Sequence, residues 1–158
     1  MKIKNDNGTN FFLYLQYSNI HTTISDEIAN LRKHTDLNVK MLDTKHNALG
    51  NLICVNDKGG IISPIVEKEF IKEIADVLDI EVIQKRVAGY HQVGAVMEAN
   101  NLGGVIHPET DEEDIKNFSN VLGVDIEPAT INGGIPFVSS GILANKDRKS
   151  TRLNSSHT

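Results

Sequence analysis

The sequence predicts an α/β architecture built from β-β-α-β repeats about 44 residues long. Three observations predict it. First, Asn56-Asp-Lys-Gly-Gly-Ile-Ile-Ser-Pro64 is matched 44 residues later by Asn100-Asn-Leu-Gly-Gly-Val-Ile-His-Pro108. Second, the agreement continues at one offset through Ile71 and Ile115, Lys72 and Lys116, Leu78 and Leu122, and Val82 and Ile126. Third, the apolar period changes inside each copy, from short runs typical of strands to a stripe typical of a helix. A small sheet with one helix cannot bury both its faces alone, so the copies must pack together. One helix per three strands suits sheets around a centre with helices outside.

The elements follow in order. Phe11–Tyr17 is an apolar run that reads as a strand. Ile28, Leu31, Leu37 and Val39 lie 43 residues before Ile71, Ile74, Ile80 and Val82, and mark an earlier copy. In the middle copy Phe70, Ile71, Ile74, Val77 and Leu78 form the helix stripe. In the next, the apolar run Val93–Ala99 predicts a strand. Asn100-Asn-Leu-Gly103 predicts a turn, with Asn first and Gly last. Gly104–His107 is a second strand closed by Pro108. Thr110-Asp-Glu-Glu113 predicts a capping box with Thr110 at the N-cap. Ile115, Phe118, Val121 and Leu122 form one helix face, and Gly123 ends the helix. Val124-Asp-Ile126 begins the third strand. Ala144-Asn145-Lys146 repeats Ala99-Asn100-Asn101 and opens a further copy.

The expected organisation is a partial repeat over 5–46, full repeats over 47–91 and 92–136, and a stub over 137–146. Residues 147–158 are excluded from the fold. Asp147-Arg-Lys-Ser-Thr-Arg-Leu-Asn-Ser-Ser-His157 resembles the translation of a sequencing-adapter oligonucleotide. After Asp147 only Leu153 is apolar, and no helix or strand period is visible. The natural chain is expected to continue beyond Lys146.

The 158 residues are 39% hydrophobic and 23% charged, which argues against a disordered chain. The net charge is −5, and −7 without residues 147–158. Wide binding to a nucleic-acid backbone is therefore disfavoured. No apolar run reaches the roughly 18 residues of a membrane span. With one cysteine, Cys54, no internal disulfide can form.

The chemistry-bearing residues are few. Cys54 lies in Leu52-Ile-Cys-Val55, with no base within three positions, and reads as a small core hydrophobe. The histidines His21, His34, His46, His91, His107 and His157 form no pair at metal-ligand spacing. The diglycines Gly59-Gly60, Gly103-Gly104 and Gly133-Gly134 fit no nucleotide-binding loop. Asp111-Glu-Glu-Asp114 is explained by the helix dipole. No catalytic residue, metal or cofactor is expected. Each copy does open on small or polar residues: Asn47-Ala-Leu-Gly-Asn51, His91-Gln-Val-Gly94 and Pro136-Phe-Val-Ser139-Ser140. Recurring at one end of a repeat array, these residues form either ordinary loops or a shared binding face.

Several segments resemble the translation initiation factor 6 family of archaea. They are Asn47-Ala-Leu-Gly-Asn-Leu-Ile53, Asn56-Asp-Lys-Gly-Gly60, Val87-Ala-Gly-Tyr-His-Gln-Val-Gly94, Gly103-Gly-Val-Ile-His-Pro108 and Ala129-Thr-Ile-Asn-Gly-Gly134. The resemblance covers roughly residues 22–146. It implies a pentein-type propeller, five such repeats about a pseudo-fivefold axis, of which about three are present here. The first repeat is absent, the fifth stops at Lys146, and residues 9–20 match poorly. The resemblance implies a cytoplasmic, non-enzymatic factor that binds the large ribosomal subunit and prevents joining of the small one. It also implies a part in large-subunit maturation. The implied contact is a ribosomal protein of the joining face near the sarcin-ricin loop, with no membrane or DNA partner and a monomeric parent. The family's ribosome-facing end carries the residues after the unit-start Gly. Carried over, these are Asn51 after Gly50, Ala95 after Gly94, and Ser140, where Ser139 replaces the Gly. The expected contact set is Leu49, Gly50, Asn51, Val93, Gly94, Ala95 and Ser140. Two rival readings are a guanidino-group hydrolase of the pentein superfamily and a protein-interaction module with another partner.

Overall fold

A computed structural model of the chain describes residues 2–6, 9–16, 21–34, 38–46, 48–144 and 149–151. It contains three three-stranded sheets with one strand order. The first holds β1 (Lys2–Asp6), β2 (Thr9–Gln16) and β3 (Asn38–Asp43), with α1 (His21–His34) between β2 and β3. The second holds β4 (Ile53–Val55), β5 (Gly59–Ile62) and β6 (Glu81–Gln84), with α2 (Lys68–Leu78) between β5 and β6. A short helix α3 (Val93–Val96) precedes the third, which holds β7 (Met97–Ala99), β8 (Gly104–Ile106) and β9 (Ile126–Pro128). There α4 (Glu112–Leu122) joins β8 to β9. In each of these three sheets the first two strands pair antiparallel and the last two parallel. The parallel pairing requires a crossover, and the helix supplies it.

Each buried cluster joins the interior of one unit to residues of a neighbour. Strand alternation explains why. Ile53 pairs with Ile62, and both face a cluster with Leu42 of β3 and with Ile74 and Leu78 of α2. Cys54 pairs with Ile61, and both face the opposite cluster, with Met97, Ile106, Phe118 and Leu122 of the next unit. The hairpin of β4 and β5 is thus buried on both faces. Ile61, Ile62, Ile74 and Phe118 have no solvent exposure. Burying each such side chain contributes about 1.5–3 kcal/mol.

The second and third units also interlock through their hairpin loops. The Oδ1 of Asn56 accepts from the amides of Lys58 at 2.9 Å and Gly59 at 3.0 Å. Its Nδ2 donates across the boundary to the carbonyls of Asn100 at 3.2 Å and Leu122 at 2.6 Å. The Asp57 amide donates to Oδ1 of Asn101 at 3.0 Å, and Nδ2 of Asn101 returns a bond to Asp57 at 2.6 Å. Lys58 Nζ donates to the Gly123 carbonyl at 2.8 Å, capping the end of α4. Only glycine fits at position 59, where a β-carbon would stand 2.0 Å from the Val121 carbonyl oxygen.

Several expectations are corrected in detail. Val93–Ala99 is not one strand: its first four residues are helical and only Met97–Ala99 is extended. A four-residue apolar run is too short for periodicity to separate the two states. Thr110 is not the N-cap of α4. Its hydroxyl donates to the His107 carbonyl at 2.8 Å, and Asp111 takes the cap position without a side-chain bond. The third strand starts at Ile126 rather than Val124. Of the run Phe11–Tyr17, expected to be a strand, residues 11–16 do lie in β2, and Tyr17 lies outside the described residues. Within 147–158, where the sequence shows no strand period, Lys149–Thr151 forms β11, which pairs antiparallel with β10 (Ile142–Ala144). Pairing with a strand edge asks only for backbone groups, so hydropathy does not announce it. Asn145 and Lys146 lie outside the described residues.

Other expectations agree with the structure. Asn100 forms the expected turn, its Oδ1 accepting from Leu102 at 2.8 Å and Gly103 at 3.1 Å. Gly123 ends α4 in the left-handed conformation at φ 61°. Cys54 is buried in the core.

Candidate binding face

Each of the two later sheets, and the start of β10, is preceded by a single helical turn. These turns are Leu49–Asn51, α3 and Val138–Gly141. The first residue of each is apolar and buried: Leu49 at 2% exposure, Val93 and Val138 at 0%. That side chain anchors its turn in the core and leaves small residues to follow. Gly94 shows how closely the turns adjoin. A β-carbon there would lie 2.1 Å from the Gly50 carbonyl oxygen and 2.5 Å from that of Ile53. Backbone oxygens cannot yield as a side-chain tip can, so glycine is required. At the next junction Ser139 stands in the place of Gly94, and its hydroxyl donates to the Met97 carbonyl at 3.0 Å. A backbone contact is thus replaced by a hydrogen bond, and three turns stand side by side.

The expected contact residues separate by burial. Asn51 and Ser140 are exposed, while Gly50 and Ala95 are half-buried. Leu49, Val93 and Gly94 are buried and present nothing to a partner. They shape the face from beneath. The Ser140 hydroxyl is already committed to the Phe137 carbonyl at 2.8 Å. Asn47 lies outside the described residues.

The same end carries residues that sequence reasoning missed. Tyr90 packs edge-on against Phe137 at 5.6 Å between ring centroids and lies 5.1 Å from the ring of buried His107. Nδ1 of His107 accepts from the Glu109 amide at 3.1 Å. Phe137, Ile135 and Ile65 are large apolar side chains that remain exposed at 39–43%. Their sequence signal was weak, because isolated apolar residues in loops are common on any surface. Beside Ile65, Nε2 of His46 donates to its carbonyl at 3.0 Å and approaches Glu67 at 3.5 Å. Lys45 reaches the same carboxylate at 3.3 Å. The Glu67 carboxyl is held below its usual range, first by a hydrogen bond from its own backbone amide. Lys45 and His46 add to this, against the opposing effect of burial.

Small residues, the exposed Asn51 carboxamide and an apolar border offer shape and hydrogen bonding. They suit contact with a folded surface. Among the described residues no group of three or more His, Cys, Asp or Glu could hold a metal ion. No helix among them is long and apolar enough to cross a membrane.

Comparison with known proteins places these turns in a family. The model of the eIF-6 family matches residues 20–151 and so includes the three turns. Translation initiation factor 6 of Cenarchaeum symbiosum is 71% identical over 126 residues, which are 79% of this chain and 57% of the relative. That of Nitrosopumilus maritimus is 61% identical over 126 residues, covering 80% of this chain and 57% of the relative. That of Aeropyrum pernix is 49% identical over 123 residues, covering 77% and 53%. The chain spans about half the length of these curated relatives. It belongs to the eIF-6 family.

Proposed function

We propose that this chain is the central part of a pentein-type translation factor that binds the large ribosomal subunit and keeps the small subunit from joining. The reading is that of a cytoplasmic protein without catalytic activity, which also acts during large-subunit maturation. The supporting observation is the row of three turns, where Gly50, Asn51, Ala95 and Ser140 form a small-residue surface over buried Leu49, Val93 and Gly94. Such a surface lets a partner's backbone approach closely. The proposed contact is a ribosomal protein of the joining face, near the sarcin-ricin loop. An acidic chain of net charge −5 suits a basic partner of this kind through faster, steered encounter.

The test is sedimentation with purified archaeal subunits, using this chain beside the whole Cenarchaeum symbiosum relative. The whole factor should co-sediment with the large subunit and lower the fraction of joined ribosomes. If the folded whole factor left both subunits untouched, the reading would be wrong.

A further inference from the structure

His107 does more than its place in the repeat asks of it. Ser63 stands at the same position 44 residues earlier, and its hydroxyl accepts from the Ile65 amide at 3.4 Å. Nδ1 of His107 accepts the matching bond from the Glu109 amide at 3.1 Å. A hydroxyl therefore suffices to close this turn. What the imidazole adds is a ring, and it lies 5.1 Å from the ring of Tyr90. Tyr90 in turn meets Phe137 edge-on at 5.6 Å, a separation at which aromatic pairs attract. Tyr90 leads into α3, and Phe137 immediately precedes the helical turn Val138–Gly141. The Phe137 carbonyl accepts from the amide of Ser140 at 3.2 Å and from its hydroxyl at 2.8 Å. The backbone is strained where it presents Tyr90. Val87 and Tyr90 exchange hydrogen bonds at 3.2 and 2.8 Å, with Ala88 at φ 49° and Gly89 at φ 81° between them. The corresponding turn 44 residues on has Asn132 at φ 47°, and asparagine tolerates this left-handed region better than alanine. Such strain persists where the surroundings fix the conformation.

We infer that Tyr90 is a positioning residue of the candidate face: held by His107, it fixes Phe137 and through it the turn that carries Ser140. The buried His107 ring, 3% exposed, is the fixed end of this chain of contacts. Phe137 is the free end, 39% exposed and otherwise open to several rotamers. Because Ser140 closes its turn on the Phe137 carbonyl, restraint on Phe137 passes directly to Ser140. Ala95, on the helix that Tyr90 leads into, and Ser140 are thereby kept at one spacing. The ring of Tyr90 performs this role, and its hydroxyl is not needed for it. The bearing of this spacing on a partner rests on the proposed binding reading, whereas the restraint itself does not.

The test is residue-resolved amide hydrogen exchange by NMR on the full chain, without ribosomes, so its failure is distinct from failure of the binding reading. Three amides are compared. That of Ser140 reports the third turn, that of Thr110, bonded to the His107 carbonyl, reports the turn at His107, and that of Ser63, bonded to the Leu52 carbonyl, serves as a distant reference. Tyr90→Leu should speed exchange at Ser140 at least fivefold and leave Thr110 and Ser63 unchanged. Tyr90→Phe, which keeps the ring, should exchange as wild type does. His107→Ser places in this unit what the preceding unit already uses, so Thr110 should stay protected while Ser140 exchanges at least twofold faster. Unchanged exchange at Ser140 in Tyr90→Leu would overturn the inference. So would equal acceleration of all three amides, which would mark general destabilisation, or loss of protection in Tyr90→Phe, which would assign the role to the hydroxyl.

Discussion

Gly94 lies against Gly50 so closely that a β-carbon on it would stand 2.1 Å from the Gly50 carbonyl oxygen. Position 50 has no such constraint, since nothing lies within 4 Å of a β-carbon built there. The two unit-start glycines therefore differ in kind. Gly94→Ala should lower stability by about 1–3 kcal/mol through forced backbone displacement. Gly50→Ala should change it by less than about 0.5 kcal/mol. Urea unfolding of both variants checks this, and equal effects would show that the turns are not in close register.

The loop lock predicts measurable coupling between units. Asp57 and Asn101 exchange two hydrogen bonds across the boundary. The side-chain half of that exchange should show an interaction energy of about 0.5–3 kcal/mol in a double-mutant cycle of Asp57→Ala and Asn101→Ala. Asn56→Ala should be more damaging, about 2–4 kcal/mol. It strands the Leu122 carbonyl and removes the acceptor for two amides of its own turn. Additive single-site effects at Asp57 and Asn101 would refute the coupling.

This lock also shows what was legible in the sequence. Asn56 and Asn100 stood out because their spacing to the diglycines is the same, and that correspondence carried the β-β-α-β order. The helix stripes were equally readable: Ile74, Leu78, Phe118 and Leu122 are buried where the period put them. The interlock itself was not readable, since a turn asparagine satisfies local rules without naming its partner across the boundary. Nor was α3, because Val93-Gly-Ala-Val96 is too short for periodicity to separate helix from strand. Thr110 matched a capping pattern, yet its hydroxyl found a nearer carbonyl at His107. Of the candidate face, the positions were legible but their burial was not. Leu49 and Val93 point inward because each anchors a turn.

Acid should weaken the junction at Glu67. Folding lowers the pKa of this carboxyl from an ordinary value of 4.5, chiefly through its own backbone amide and then through Lys45 and His46. The ionised form is therefore favoured in the native state. Its contribution is complete above the ordinary range and is lost as pH falls through that range and below. The urea midpoint of the wild type should decline in this window more steeply than that of Glu67→Gln. Parallel profiles would show that the carboxylate contributes nothing to folding.

Asn51 gives the sharpest test of the binding face. It is exposed, it follows Gly50 on the first of the three turns, and its neighbours Leu49 and Leu52 hold the backbone from within the core. A change at its side chain alters what a partner meets without altering what the core holds. In the whole Cenarchaeum symbiosum relative, arginine at the position aligned with Asn51 should leave the unfolding midpoint within about 0.5 kcal/mol of wild type. On the proposed reading, arginine would place a long cation where a small-residue surface meets a basic partner. Repulsion and steric conflict together should weaken large-subunit binding by about tenfold or more, a cost of roughly 1.4 kcal/mol. Arginine at the position of Ser140 should act in the same direction, whereas alanine there should have little effect, because that hydroxyl is turned back on Phe137. Sedimentation titrations with large subunits read all three. Full binding by both arginine variants would remove the turns from the interface and move attention to the apolar border of Tyr90, Ile135 and Phe137.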